Sequence, residues 1–429
     1  MSTLLRGATL IEFEPARVEV ADLRVDRGVI VERGQGLEPH PEEDVVDVAH
    51  KIIIPGMVSS HHHLFASIGR GLPRAKEGAD YEQVQQSTIW RLESALDLDA
   101  VQASAMLGAI EALSCGTTTV VDSHSSPKCV LGSLTRVARG VNEIGLRAAL
   151  SYQVTDRHGA LGREEGLEEN VAFQKKARGR FRGMVGAHAC FTLSSDALEG
   201  LKGAVAATGS GLHLNLAEDP MDERLSFQRY GDTPVARLMQ AELLSPKSIL
   251  AHVVHLSWPD LSQVISTGAW ISHDARANMN FQAGYAPAGK FGARASLGTS
   301  AMSPDLFLEA QCAMFRSRDA GQPIDVLRYL ANGHRIASQI FDARIGPLDQ
   351  GAVADLVVLD YRPVTQIDET NIALHLVEGM SSRHVEAVMV DGVWRMWARR
   401  SLSANAETVI DHARDAAHAV HRRMEEVKS

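Results

Sequence analysis

Cysteine is scarce in this chain. Four of its 429 residues are Cys115, Cys129, Cys190 and Cys312, and no two of them form a C-x-x-C pair. That argues against a disulfide framework and against a thiolate metal site, and suits a reduced, cytoplasmic setting. The chain is long enough to bury a sizeable core without covalent staples. No run approaches the roughly 18 apolar residues of a membrane span, and "MSTLLRGATLIEFEPARVEV" has no long apolar stretch of a secretory leader. A membrane is therefore not expected as a partner. Positive charge is also in deficit, with 43 basic against 53 acidic residues and a formal net charge of -10, so a nucleic-acid backbone is not expected either. A small molecule is the expected ligand. Internal repeats beyond a βα alternation, and low-complexity linkers, are absent too.

What the chain does contain is an alternation of short β-rich runs with longer helical patterns from residue 56 to about 350. The eight runs are "KIIIPGMVSSHHH", "TTTVVDSHSS", "LRAALSYQV", "GMVGAHACFT", "GLHLNLAED", "SILAHVVHLS", "GAWISHDARAN" and "ARASLGTS". Stretches such as "DALEGLKGAVAATG" and "TPVARLMQAELL" lie between them. Eight such units predict an α/β fold of the (β/α)8 TIM-like barrel type, with sites at the C-terminal strand ends. The flanks read instead as short strands with turn signals such as Asp391-Gly392. The expected organisation is a small composite β-sandwich domain, its first half at 1–55 and its second at 350–429, with the barrel at 56–349 inserted between them. The final "AETVIDHARDAAHAVHRRMEEVKS" reads as a solvated terminal helix.

The first run ends in three histidines. His61 and His63 stand two apart at a strand end, so both project to one face while His62 projects to the other. The pair reads either as two metal ligands or as a hydrogen-bonded polar cluster.

Here the chain resembles a family. "PGMVSSHHHLF" is similar to the P-G-x-x-x-x-H-x-H opening of the amidohydrolase superfamily, in its cytosine deaminase, chlorohydrolase and S-adenosylhomocysteine deaminase branch. "GAHACFT", "GLHLNLAED", "ILAHVVHLS", "SHDARANMNFQAGYAP", "LGTS" and "GAVADLVVLD" follow in the family's order. Within the branch, "SHHHLFASIGRGL", "AEDPMDERLSFQRYG" and "ARANMNFQAGY" most resemble SsnA-type aminohydrolases. The resemblance implies a divalent ion, zinc or iron, that makes hydroxide from water near neutral pH. It implies hydrolysis or deamination at a carbon–nitrogen bond of a small nitrogen heterocycle, by a homo-oligomer of two or more chains. It also implies residue roles. His61 and His63 match two of the ion's ligands, Glu218 the strand-five acid that relays a proton, and His252 the strand-six histidine.

Two positions depart from the pattern. The family's H-x-H-x-x-E ends strand five with a ligand where this chain has Asn215, and its L-G-T-D ends strand eight with an aspartate where this chain has Ser300. A neutral carbonyl and a neutral hydroxyl are poor zinc ligands beside imidazole. His213, two residues before Asn215, lies about 7 Å deeper along the strand. The expectation is thus no cofactor, or weakly bound zinc or iron, with the metal-free state favoured. Glu218, His252 and Ser300 stand as the catalytic candidates. His188, Asn215, Asn278, Arg276, Arg70 and Trp90 stand as substrate-binding candidates, and His61 and His63 as the ligands of any ion. Each carries a bland alternative: a carbonyl-bonded His188, a turn-forming Asn278, a core Trp90. Two other functions remain open on the same fold, a metal-independent acid–base enzyme (isomerase, lyase or cyclase) and a ligand-binding protein without turnover.

Overall fold

The computed structural model describes residues 2–72 and 81–426. Both ends of the chain enter one nine-stranded sheet. In spatial order its strands are Arg400–Ser401, Val393–Trp397, Val385–Val390, Leu356–Leu359, Ile52–Pro55, Thr3–Phe13, Ala16–Asp26 and Val29–Gly34, with Asp44–Asp47 also beside Thr3–Phe13. The seam between the halves is antiparallel, with Ile53 opposite Val358. Leu5, Leu10, Leu23, Ile30, Ile53, Leu356, Val358 and Met389 form one buried cluster, so the sheet curls over a core drawn from both ends.

Gly56 turns the chain from that sheet into the barrel. A Cβ at this position would lie 2.3 Å from Thr118 Oγ1, so only glycine lets the two strands approach here. The barrel strands, numbered one to eight, are Met57–His62, Thr117–His124, Arg147–Val154, Val185–Ala189, Leu212–Leu216, Ile249–His252, Trp270–His273 and Ala295–Leu297. Each pairs in parallel with the next. An additional short strand, Phe181–Gly183, lies on strand three. A parallel bridge between His62 and Ser300 closes the ring, reinforced by Thr299 N–H donating to the His61 carbonyl at 2.7 Å. These strands are buried on both faces, which is why they read as continuous apolar runs rather than alternating ones.

The connecting helices start on side-chain caps. Ser194, Ser257 and Asp305 accept from the amides of Ala197, Asp260 and Leu308. The Asp305 cap is also bonded by the Ser382 hydroxyl, at 2.7 Å. Barrel and sheet are joined by a buried ion pair, Arg147 of strand three with Asp355, at 3.2 Å.

The terminal helix, Ala406–Glu426, departs from the solvated reading. Val409, Ala413, Val420 and Met424 are buried along one stripe, and Arg423 bonds the Asp97 carboxylate at 2.7 Å and the Ala95 carbonyl at 2.7 Å. Its many charges lie on the other face and hid that stripe. Among the described residues no helix is long and apolar enough to cross a membrane.

Candidate active site

The strand-end residues converge at the C-terminal mouth of the barrel. His61 and His63 share a face, with ring centroids 4.6 Å apart, while His62 turns outward to Thr299 Oγ1 at 2.9 Å. Each inward ring is anchored through Nδ1. His63 Nδ1 donates to the Ser123 carbonyl at 2.7 Å, and His61 Nδ1 lies 2.8 Å from His213 Nε2. His213 therefore sits beneath His61, and Ser151 Oγ bonds its other nitrogen at 3.3 Å. Burial is the main force lowering these pKa values. His63 is held at about 4 and His213 at about 3, and His61 falls well below the usual histidine range, helped by His63 and His213. All three rings are neutral at physiological pH.

Strands five and six carry the opposite electrostatics. Glu218 follows Ala217, whose φ is 48°, and its Oε2 accepts from the Tyr81 hydroxyl at 2.7 Å. His252 Nε2 stands 3.7 Å from the same oxygen, and its Nδ1 bonds Asn278 Oδ1 at 2.8 Å. Burial opposes charge on His252. The Glu218 and Asp274 carboxylates, with the Asn278 contact, outweigh it and raise the pKa above its ordinary value. Asp274, at the end of strand seven, accepts from the His252 amide at 3.3 Å, and burial pushes it up to about 7. The backbone is strained here: His252 (φ 71°), Val253 (49°) and Ser300 (45°) occupy left-handed conformations that non-glycine residues seldom adopt.

His63, His188, Asn215, Glu218, His252 and Ser300 border a common cavity of about 30 Å³, room for about one or two waters. His61 Nε2, Asn215 Oδ1, Asn278 Nδ2 and Asp274 Oδ1 are buried at this centre without a hydrogen-bond partner. Such atoms are costly unless a ligand or solvent satisfies them. Among the described residues no three His, Cys, Asp or Glu side chains are arranged to hold a metal ion.

Five candidates do not line the cavity: His61 and Asn278 touch the lining residues His63 and His252 from behind, and three others are engaged elsewhere. Arg276 turns away into a buried pair with Glu309 at 2.5 Å and bonds Ser303 Oγ at 3.0 Å. Trp90 sits behind the cavity wall, under the Arg157 guanidinium at 4.4 Å and against the His188 ring. Arg70 pairs with Glu111 and lines a neighbouring space.

Several residues of the site were not singled out from the sequence. Tyr81, Gln85, Ile89 and Glu93 roof the cavity from one continuous helical stretch, Tyr81–Ala95. Gln153, which lines the cavity, and Asp274, which accepts from the His252 amide, are polar residues at the ends of strands three and seven, where a barrel of this kind gathers its site.

A parallel eight-stranded barrel with its polar residues gathered at the C-terminal rim places the molecule among the βα-barrel enzymes. The Amidohydrolase family sequence profile matches residues 52–395, and the chain belongs to that family. A 5-methylthioadenosine/S-adenosylhomocysteine deaminase of Desulforudis audaxviator is 29% identical over 434 residues, covering 96% of this chain and 97% of the relative. A 5'-deoxyadenosine deaminase of Methanosarcina barkeri is 27% identical, covering 96% of this chain and 97% of the relative. In structure, a zinc-bound adenosine deaminase from Xanthomonas campestris superposes with a TM-score of 0.84 at 20% identity, over 99% of each chain, which establishes a shared fold.

Proposed function

We propose that this chain hydrolyses a carbon–nitrogen bond of a small nitrogen heterocycle, an adenine-type ring being the substrate class its deaminase relatives favour. The observation that carries the reading is the Glu218–His252 pair, 3.7 Å apart, facing a cavity that Asn215, with its unpartnered Oδ1, also lines, while the unpartnered His61 Nε2 is buried beside it, its ring 5.4 Å from that of His252.

In this reading Asn215 and His61 hold the attacking water, and Glu218 takes one of its protons as the oxygen adds to the ring carbon bearing the amine. His252, whose protonated form the Glu218 and Asp274 carboxylates favour against burial, protonates the adjacent ring nitrogen. Collapse of the adduct returns the Glu218 proton to the departing ammonia and the hydroxyl proton to His252. Both groups are thereby reset. Asn278 holds the His252 ring through Nδ1 so that Nε2 faces the substrate, and Ser300 and His188 contact the ring.

The donor set does not fit a tightly held divalent ion. Two neutral imidazoles, His61 and His63, meet an amide at Asn215 and a hydroxyl at Ser300, with no carboxylate among them to offset the ion's charge. The site is therefore read as metal-independent or weakly metal-binding.

The test is ammonia release from adenine, 5'-deoxyadenosine and 5'-methylthioadenosine by protein dialysed against chelator. Turnover is expected, and Glu218→Gln and His252→Asn are each expected to lower it at least about 100-fold with the fold intact. Full turnover in either variant, or no ammonia from any of the three compounds, would refute the reading. Turnover that appears only on adding zinc would refute its metal-independent part.

A further inference from the structure

Three ring nitrogens and one hydroxyl form a single file in the barrel interior. His61 Nδ1 lies 2.8 Å from His213 Nε2, His213 Nδ1 lies 3.3 Å from Ser151 Oγ, and Ser151 Oγ lies 3.0 Å from the Asp122 carbonyl. His61, His213 and Ser151 are all inaccessible to solvent, so each proton in the file is placed by its neighbours. A neutral imidazole has one N–H and one bare nitrogen, and the bond made at one decides the state of the other.

The far end of the file fixes its order. A carbonyl only accepts, so the Ser151 hydroxyl gives its single proton to Asp122. Ser151 Oγ can then only accept from His213, which puts the His213 proton on Nδ1 and leaves Nε2 bare. A bare Nε2 on His213 requires Nδ1–H on His61. His61 Nε2 is thereby left with a lone pair, and that atom is buried without a hydrogen-bond partner. The opposite order would move the Ser151 proton from the shorter contact to the longer one, and would end in an N–H at His61 Nε2. His63 reaches the same tautomer as His61 in one step, its Nδ1 donating to the Ser123 carbonyl at 2.7 Å.

We propose that His213 is a positioning residue: through its bond to His61 it fixes the nitrogen that meets the attacking water as a hydrogen-bond acceptor. The inference rests on the heterocycle-hydrolase reading above. A water held by His61 then donates one hydrogen to Nε2 and the other to Glu218, and an oxygen lone pair is left for the ring carbon. In the opposite tautomer His61 would donate an N–H to that lone pair and oppose the attack.

The test reads tautomer and turnover separately, in the full-length protein isotopically labelled at its histidine ring nitrogens. Long-range proton–nitrogen NMR distinguishes a ring protonated at Nδ1 from one protonated at Nε2, and the His61 signals are assigned by their loss in His61→Gln. Near neutral pH the native His61 is expected as the Nδ1–H tautomer. His213→Leu removes the acceptor and is expected to turn His61 to the Nε2–H form, lowering kcat about tenfold with KM within about twofold of native. His213→Gln places an acceptor oxygen where Nε2 stood and is expected to restore both readouts. Ser151→Ala removes the far end of the file without touching either ring, and is expected to show both His61 tautomers where the native protein shows one. An Nε2–H His61 in the native protein, or an Nδ1–H His61 that persists in both His213→Leu and Ser151→Ala, would overturn the proposal. So would native kcat in a His213→Leu protein whose His61 has switched. The expected tautomers together with no ammonia from any adenine compound would overturn the heterocycle reading and uphold the placement of the His61 proton by His213.

Discussion

Replacing Glu218 by Gln is predicted to move the titration of His252 down in pH while leaving the ring in place. In the native protein the carboxylate Oε2 stands 3.7 Å from His252 Nε2, and both side chains are nearly inaccessible, at 10% and 1%. At that distance, with an effective dielectric near 20, the attraction lost is about 4 kcal/mol. It is an upper bound, because Asp274 and Asn278 remain to oppose burial. The stability consequence has a definite sign. His252 has a folded pKa above its unfolded value, so its contribution is fully present below about 6.5 and is lost as pH rises through the folded pKa. In the variant that contribution is diminished, so the stability difference between variant and native protein should be greatest below about pH 6.5 and shrink in alkali. Asp274, pushed up to about 7, titrates in the same window, so bulk denaturation alone would mix the two groups. Imidazole NMR of His252, with urea unfolding at several pH values, separates them. An unmoved His252 resonance, or a stability gap independent of pH, would refute the electrostatic account.

Three further outcomes are expected. Asp355→Asn leaves Arg147, 5% exposed, with Asp391 at 3.6 Å as its remaining carboxylate partner at the junction of barrel and sheet, and should cost about 1.5–3 kcal/mol in urea unfolding; a loss below about 0.5 kcal/mol would contradict it. The double variant Asn215→His with Ser300→Asp should bind one zinc per chain in equilibrium dialysis; failure to bind would mean that the rim differs from a metal site by more than two side chains. Tyr81→Phe removes a hydrogen bond to a carboxylate worth about 1.5–3 kcal/mol and should speed amide exchange across Tyr81–Ala95, whereas unchanged protection would show that the roof is held without it.

What was legible in the sequence followed from short-range geometry. The two-residue period of a strand is enough to send His61 and His63 inward and His62 outward, and to place His213 one repeat below Asn215; the contacts of His62 with Thr299 and of His213 with His61 follow that rule. Eight apolar runs ending in polar residues specify the barrel because a parallel sheet must be buried on both faces. The roof escaped because its evidence is long-range. Tyr81 meets Glu218 across 137 positions, and nothing in "YEQVQQSTIWRLESA" marks one face for a cavity until the barrel mouth lies beneath it. Arg276 shows the same limit from the other side. A lone arginine on a rim loop reads as an anion-binding group, and only the fold brings Glu309 to it and spends its charge inside the protein. Asp274 was passed over in the same segment, although it stands at a strand end, where the barrel gathers its polar groups. A carboxyl there acts on His252 from strand seven, so the electrostatics of this centre cannot be inferred from the missing strand-eight aspartate alone.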